Sequence, residues 1–159
     1  MLRFPIALIG AAIVAASASN ATAQSRIEVG VLECRGTTTS FVVGSVTDMS
    51  CVFRPAGGGP VDAYTGTVRR VGLDIGINET TAVAWAVFAP TRGIAAGDLR
   101  GTYAGVSASA SAGVGLGANA LLGGSNNTIA LQPVSVQAQT GLSIAAGIAS
   151  LELRSRPAR

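Results

Sequence analysis

Hydrophobic and polar residues alternate with a period of two along much of the chain, which predicts β-strands rather than helices. The segments that alternate, or that form short apolar runs, are residues 27–34, 41–46, 50–53, 70–77 and 102–120. Residues 82–89 are apolar at both parities and end at Pro90, so we expect a central strand that is covered on both faces. Residues 128–138 and 142–153 are predicted to be the two closing strands.

Turn-forming residues separate these predicted strands. Residues 55–60 place three glycines between two prolines and form the clearest loop in the chain. The other predicted turns are Thr47-Asp48 and residues 78–81, 123–127 and 139–141. The sequence therefore predicts an all-β fold, a small antiparallel β-barrel or a sandwich.

The N-terminus has the pattern of a cleavable export signal. Arg3 precedes an apolar run, and a small-residue segment after the run ends in Ala21-Thr22-Ala23. This pattern predicts cleavage between Ala23 and Gln24, whereas the alternative of a membrane anchor requires about 20 apolar residues. We therefore expect a periplasmic or secreted protein, with the signal peptide at 1–23, one domain at 24–153 and a flexible tail at 154–159.

Two cysteines, Cys34 and Cys51, are present in the chain. An even number of cysteines in an exported protein predicts a disulfide, and two cysteines allow a single pairing. The alternative is a pair of buried free thiols.

Residues 101–151 contain no charged side chain. A straight strand over residues 102–120 would be about 60 Å long, so it must bend, and Gly113, Gly115 and Gly117 are where it can. One alternative is a membrane helix or glycine zipper, because Gly113 and Gly117 have the G-x-x-x-G spacing. Another alternative is an outer-membrane barrel, whose strands also alternate. Membrane association through residues 101–151 is thus a second hypothesis for the function.

The residue types in the chain exclude much of enzyme chemistry. All 11 basic residues are arginines, and the chain has no histidine. Nucleophile activation by His or Lys, Schiff-base formation on lysine and the common zinc sites are therefore excluded, and we expect no metal and no cofactor. The arginines are not clustered, so nucleic acid is not an expected partner. Gly113-Val114-Gly115-Leu116-Gly117 departs from the nucleotide-binding fingerprint and lacks its βαβ context.

Chemistry that uses two carboxylates remains available, and it would suit an enzyme acting on glycans. The acidic residues are scattered singly beside turns or on expected solvent faces, and they are Glu28, Glu33, Asp48, Asp62, Asp74, Glu79, Asp98 and Glu152. We therefore predict no catalytic residues and expect a protein that binds an envelope component or associates with the envelope; the carboxylate enzyme is an alternative.

Several segments together resemble the bacterial domain-of-unknown-function family 992. They are residues 30–34 (GVLEC), 72–76 (GLDIG), 84–90 (AWAVFAP), 101–105 (GTYAG), 113–119 (GVGLGAN) and 123–127 (GGSNN). The resemblance implies an exported protein, typically from alphaproteobacteria. It implies no activity and no catalytic residues.

Overall fold

The computed structural model describes residues 25–71, 79–105, 120–137 and 150–157. Within these ranges the chain forms eight antiparallel strands that close into a barrel, in the order β1-β2-β3-β8-β5-β6-β7-β4. The strands are β1 (Ile27–Phe41), β2 (Gly44–Pro55), β3 (Asp62–Val71), β4 (Glu79–Ala89), β5 (Gly101–Gly105), β6 (Leu121–Gly123), β7 (Ile129–Gln137) and β8 (Ser150–Ser155). The prediction of an all-β fold is confirmed, with the barrel as its architecture. None of the described residues belongs to a helix that is long and apolar enough to cross a membrane.

The strand directions give the barrel two distinct ends. One end carries the connections at residues 56–61, 90–100 and 124–128, and we call it the loop end. At the opposite end, which we call the hairpin end, a tight turn at Val42-Val43 joins β1 to β2.

The turn at Val42-Val43 replaces the turn predicted at Thr47-Asp48. β1 and β2 pair in continuous register from Gly30 opposite Pro55 to the turn itself, so Thr47 and Asp48 lie inside β2. The prediction was wrong because Thr-Asp is typical of turns and Val-Val of strands.

Other strand boundaries also differ from the prediction. Glu79, Thr80 and Thr81 belong to β4, so the turn predicted at 78–81 is wrong for these three residues. β3 begins at Asp62, although the alternation placed a strand only at 70–77, of which residues 72–77 lie outside the described residues. The early part of β3 was missed because Gly66, a buried position of this strand, carries no apolar side chain that alternation could reveal.

The second half of the chain agrees with the prediction in part: β6 (Leu121–Gly123) was not predicted, and its last residue was assigned to the turn at 123–127. β4, β5 and β7 fall on predicted strands, and a turn of 3-10 helix at Ser125–Asn127 lies within the predicted turn. β8 continues to Ser155, so Arg154 and Ser155, which were assigned to the tail, pair with β3. Residues 106–119 and 138–149, which include much of the uncharged segment, lie outside the described residues.

A β-bulge near the start of β1 sets which of its residues face the interior. The pairing with β4 shifts between Glu28 and Gly30, so Val29 is an extra residue in the strand. Glu28 is exposed, whereas Leu32 and Cys34 are buried, although simple alternation places all three on one face. The bulge therefore turns Val29 toward the loop end of the core, where it is buried.

Side chains of the described strands fill the barrel interior. The largest fully buried side chains are Trp85, Tyr64, Tyr103, Leu32, Leu99, Leu121, Leu131, Leu151, Leu153, Val68 and Val87. Toward the hairpin end the buried side chains become polar: the Thr38 hydroxyl lies 2.8 Å from that of Thr47 and 3.3 Å from that of Thr81. Apolar burial therefore stabilises mainly the middle and the loop end of the barrel.

The predicted disulfide between Cys34 and Cys51 is confirmed. The two residues are directly opposite each other on β1 and β2, with a Cα–Cα distance of 4.1 Å, and both are buried in the barrel interior. The bond therefore links the two strands from inside.

Candidate functional site: a cleft at the loop end

A cleft with a volume of about 320 Å³ lies at the loop end between two connections, residues 56–61 and residues 92–96. Volumes of this size are at the lower end of those of small-molecule sites. The lining is mostly apolar, with one acidic and one basic residue, and consists of Val29, Phe53, Pro55, Gly57, Gly58, Pro60, Val61, Asp62, Arg92, Gly93, Ile94, Ala95 and Ala96.

The first wall of the cleft is the connection from β2 to β3. The amide of Ala56 donates a hydrogen bond of 2.9 Å to the carbonyl oxygen of Val29, so this connection is tied to the bulge in β1. Gly58 and Gly59 have φ angles of 77° and 121°, which favour glycine. Because these glycines lie between Pro55 and Pro60, this segment forms an exposed loop at the cleft entrance.

The second wall is the connection that follows β4. Pro90 comes directly after β4, and Asp98 organises the loop by accepting a 2.8 Å hydrogen bond from the amide of Ala95. Leu99 follows immediately and is completely buried in the core of the barrel. The buried Leu99 side chain therefore fixes the end of the loop and holds the exposed part of the loop over the barrel.

Asp62 joins the two walls. Its Oδ2 atom accepts hydrogen bonds from the hydroxyl of Tyr64 and, at 2.7 Å, from the amide of Gly97. The amide of Leu99 donates to the Tyr64 hydroxyl at 3.4 Å, and the Tyr103 hydroxyl donates to the Leu99 carbonyl at 2.7 Å. A carboxylate at the cleft is thus connected through two tyrosines to the interior, which holds the cleft in one shape.

Both tyrosines are held in their protonated form. Burial, followed by the hydrogen bond to Asp62, raises the pKa of the Tyr64 hydroxyl above its ordinary value. Burial, followed by the neighbouring Tyr64, raises the pKa of Tyr103 in the same direction. A protonated Tyr64 is the state that can donate to Asp62, so the burial and the hydrogen bond favour the same form.

Arg92 is the basic residue of the cleft, and it is exposed at the edge. Among the described residues it makes no ion pair; the pairs found there join Arg54 to Glu33 and both Arg69 and Arg154 to Glu152. An apolar lining with a guanidinium at its edge can hold an apolar group and pair with a carboxylate, sulfonate or phosphate attached to it.

The seven acidic residues that the structure describes do not converge on this cleft. Asp62 is the acidic residue in its lining, and Asp98 lies in the adjacent loop. The remaining described acids are Glu28 and Glu33 on β1, Asp48 on β2 with a 2.9 Å hydrogen bond from Thr67, Glu79 at the start of β4 and Glu152 on β8. Asp74 lies outside the described residues. Among those described, no group of three acidic or cysteine residues is arranged to hold a metal ion.

Part of this site was predicted from the sequence. The loop at 55–60 was predicted and Asp62 was counted among scattered acids, but Arg92 and Ile94 were missed. The signal for the second wall was Pro90 followed within seven residues by Gly93 and Gly97, which mark a surface connection. The signal-peptide residues Ala21, Ala23 and Gln24 lie outside the described residues, so cleavage after Ala23 stays a prediction.

The fold and the cleft define a disulfide-linked, closed eight-stranded barrel with a small amphipathic cleft at one end. The chain belongs to the family described as "Protein of unknown function (DUF992)", whose model matches residues 12–154. No curated protein and no solved structure matches the chain.

Proposed function

We propose that this protein is an exported, non-catalytic binding protein, periplasmic or secreted, that takes a small ligand with an apolar body and an anionic group. The observation that carries the proposal is the cleft itself: about 320 Å³, mostly apolar, with Arg92 in its lining. The apolar body would contact Phe53 and Ile94, and the anionic group would pair with the Arg92 guanidinium.

Two features support export. The disulfide between Cys34 and Cys51 is consistent with an oxidising compartment, where such bonds persist. The N-terminal sequence through Ala23 has the charge, apolar length and small-residue ending of a signal peptide.

The surroundings and hydrogen bonds of Asp62 favour binding over catalysis. Hydrolysis by a carboxylate pair requires a second carboxyl group about 5–10 Å away, across the substrate. Among the described residues that line the cleft, Asp62 is the single acid, and its Oδ2 atom already holds Tyr64 and Gly97. Its hydrogen bonds suit a residue that shapes the cleft.

The test uses 1-anilinonaphthalene-8-sulfonate, which has an aromatic body and a sulfonate. We expect the folded protein to bind it with an increase in fluorescence. Arg92→Gln should weaken binding about three- to tenfold through loss of the charge pair, and Ile94→Asp should weaken it further by placing a charge in the apolar lining. Val134→Asp is the matched control, because Val134 is exposed on β7 away from the cleft.

Thermal unfolding of each variant shows whether the barrel is intact. Binding that is equal in the parent protein, Arg92→Gln and Ile94→Asp would place the dye elsewhere and contradict the proposal. Hydrolysis of a glycan by the parent protein, lost in Asp62→Asn, would favour the carboxylate enzyme instead.

A further inference from the structure

A polar groove crosses the outer wall of the barrel and shares no lining residue with the cleft. Its volume is about 360 Å³, and it spans β1, β2 and β3. Its floor is the backbone of three residues that are in direct register, Gly36, Met49 and Gly66. The Met49 side chain is buried in the core and the glycines have no side chain, so none of these three residues covers the floor.

The two walls of the groove are rows of polar side chains that run across the strands. Each row consists of residues that are opposite one another in the sheet. The first row is Arg35, Ser50 and Thr65, and the second row is Thr37, Asp48 and Thr67. Five of the six residues are exposed, and Thr67 is half-buried. The rows are about 7 Å apart along the strands, and three strands span about 10 Å, which is close to the length of a disaccharide.

The walls carry hydrogen-bonding groups that the protein itself leaves available. Asp48 accepts a 2.9 Å hydrogen bond from Thr67 through Oδ1, so its Oδ2 atom can accept from another donor. Arg35 forms no ion pair within the part of the chain that the structure describes, and the hydroxyls of Ser50 and Thr65 have no hydrogen-bond partner there. The groove therefore offers donors and acceptors side by side, with one charge of each sign.

We propose that this groove binds a neutral saccharide chain, whose hydroxyls donate to the Asp48 carboxylate and accept from the Arg35 guanidinium. A hydroxyl is both a donor and an acceptor, so a chain of sugar hydroxyls matches walls of this composition. Hydrogen bonds with a charged partner are stronger than those between neutral groups, so Asp48 and Arg35 contribute most of the affinity. Strand faces of other small β-barrels bind oligosaccharides.

The lining and its charges disfavour other polymers. A nucleic acid would bring phosphates to Asp48, and the lining has no aromatic side chain on which bases could stack. A peptide that adds to a sheet needs an open strand edge, whereas β2 is paired with β1 on one side and with β3 on the other. A saccharide requires neither an aromatic platform nor an open edge, and a neutral one meets no like charge.

The experiment titrates the purified protein with cellohexaose and with chitohexaose, two neutral chains that differ in their substituents, and follows the backbone amide signals by NMR. We expect saturable binding of at least one of them, with the largest shifts at residues 35–37, 48–50 and 65–67. Asp48→Ala should weaken binding about tenfold or more, and Arg35→Gln about three- to tenfold, through loss of a charged hydrogen bond. Thr65→Val, which keeps the shape and removes one hydroxyl, should weaken it about threefold.

Matched variants separate the groove from the rest of the surface. Thr102→Val removes the hydroxyl of an exposed threonine on β5, outside the groove, and should leave saccharide binding unchanged. Arg92→Gln alters the cleft and should also leave it unchanged, so this result is independent of the test of the cleft. Asp48 is exposed, and urea unfolding should show that Asp48→Ala is as stable as the parent to within about 0.5 kcal/mol.

Absence of saturable binding of both saccharides, or equal binding by the parent and Asp48→Ala, would overturn the proposal. Weaker saccharide binding in Arg92→Gln would place the saccharide in the cleft and would also overturn it. An oligothymidylate and a serine-glycine peptide are titrated in the same way. If one of these bound in place of the saccharides and lost its binding in Asp48→Ala, the groove would be assigned to that polymer and the proposal would be wrong.

Discussion

Asp62 on β3 accepts a hydrogen bond of 2.7 Å from the amide of Gly97, a residue 35 positions later in the loop that follows β4. The same oxygen receives the hydroxyl of Tyr64, so one carboxylate fixes both the loop and a buried side chain. Since residues 92–96 form one wall of the cleft, the position of that wall depends on this contact.

Asp62→Ala should therefore loosen the cleft. The substitution leaves the Gly97 amide and the Tyr64 hydroxyl without their acceptor, which should lower the free energy of unfolding by about 1–3 kcal/mol. Urea unfolding measures this loss, and dye binding at the cleft should weaken with it. Asp48→Ala, which removes an exposed acid far from the cleft, should change stability by less than about 0.5 kcal/mol. Equal effects of the two substitutions would show that the Asp62 contact does not hold the wall.

The disulfide closes a sequence separation of 17 residues. Constraining a loop of that length in the unfolded chain should stabilise the barrel by about 3 kcal/mol. We expect the double variant Cys34→Ala/Cys51→Ala to lower the free energy of unfolding by that amount and so to shift the urea midpoint downward. Treating the parent protein with a reductant should produce a similar shift, and the reductant should have no effect on the double variant. If reductant left the urea midpoint of the parent protein unchanged, that result would contradict the disulfide.

These residues show what the sequence could predict about the fold. β4, from its continuous apolar run, and the disulfide pairing, from the count of two cysteines, could both be predicted. The bulge at Val29, which changes the residues of β1 that face the interior, could not be predicted. A bulge arises from the pairing with β4, a strand that is distant in the chain. The turn at Val42-Val43 was missed because its residues have strand propensity, and its position is set by the register of two long strands.

The candidate site was predictable only in part. The loop at 55–60 is marked by its glycines and prolines, but nothing local to Asp62 distinguishes it from Asp48 or Asp98. Its importance comes from contacts with Gly97 and Tyr64, which the barrel closure brings together. Arg92 is a candidate ligand-binding residue for a similar reason, because the fold surrounds it with the apolar surface of the cleft.

Gly36 is a position where strand packing requires glycine. A Cβ atom there would lie 1.9 Å from the carbonyl oxygen of Asp48, which belongs to the backbone of β2. Gly36→Ala would force β1 and β2 apart and should cost about 1–3 kcal/mol or more of folding stability. Gly57→Ala is the matched control, because a Cβ atom at Gly57 would meet nothing within 4 Å. Thermal unfolding should separate the two variants clearly, and equal midpoints would contradict this packing.

The two tyrosines predict how stability changes at alkaline pH. Burial raises the pKa of both Tyr64 and Tyr103 in the folded protein, whereas a tyrosine in the unfolded chain ionises near pH 10. Below about pH 10 both states are protonated, and the tyrosines' contribution to stability is fully present. Above about pH 10 the unfolded chain releases protons that the folded barrel retains, so the free energy of unfolding should fall by up to about 1.4 kcal/mol per pH unit for each tyrosine.

The composition makes this measurement unusually specific. The chain has two tyrosines, its basic residues are all arginines, which stay charged, and both cysteines are in the disulfide, so other side chains contribute little near pH 10. Urea unfolding from about pH 8 to about pH 11 should show the decline only in the upper part of this range, where unfolded tyrosines ionise. In Tyr103→Phe the slope should be about half that of the parent, because one titrating group remains. A slope that is unchanged in this variant would mean that the decline arises from groups other than the buried tyrosines.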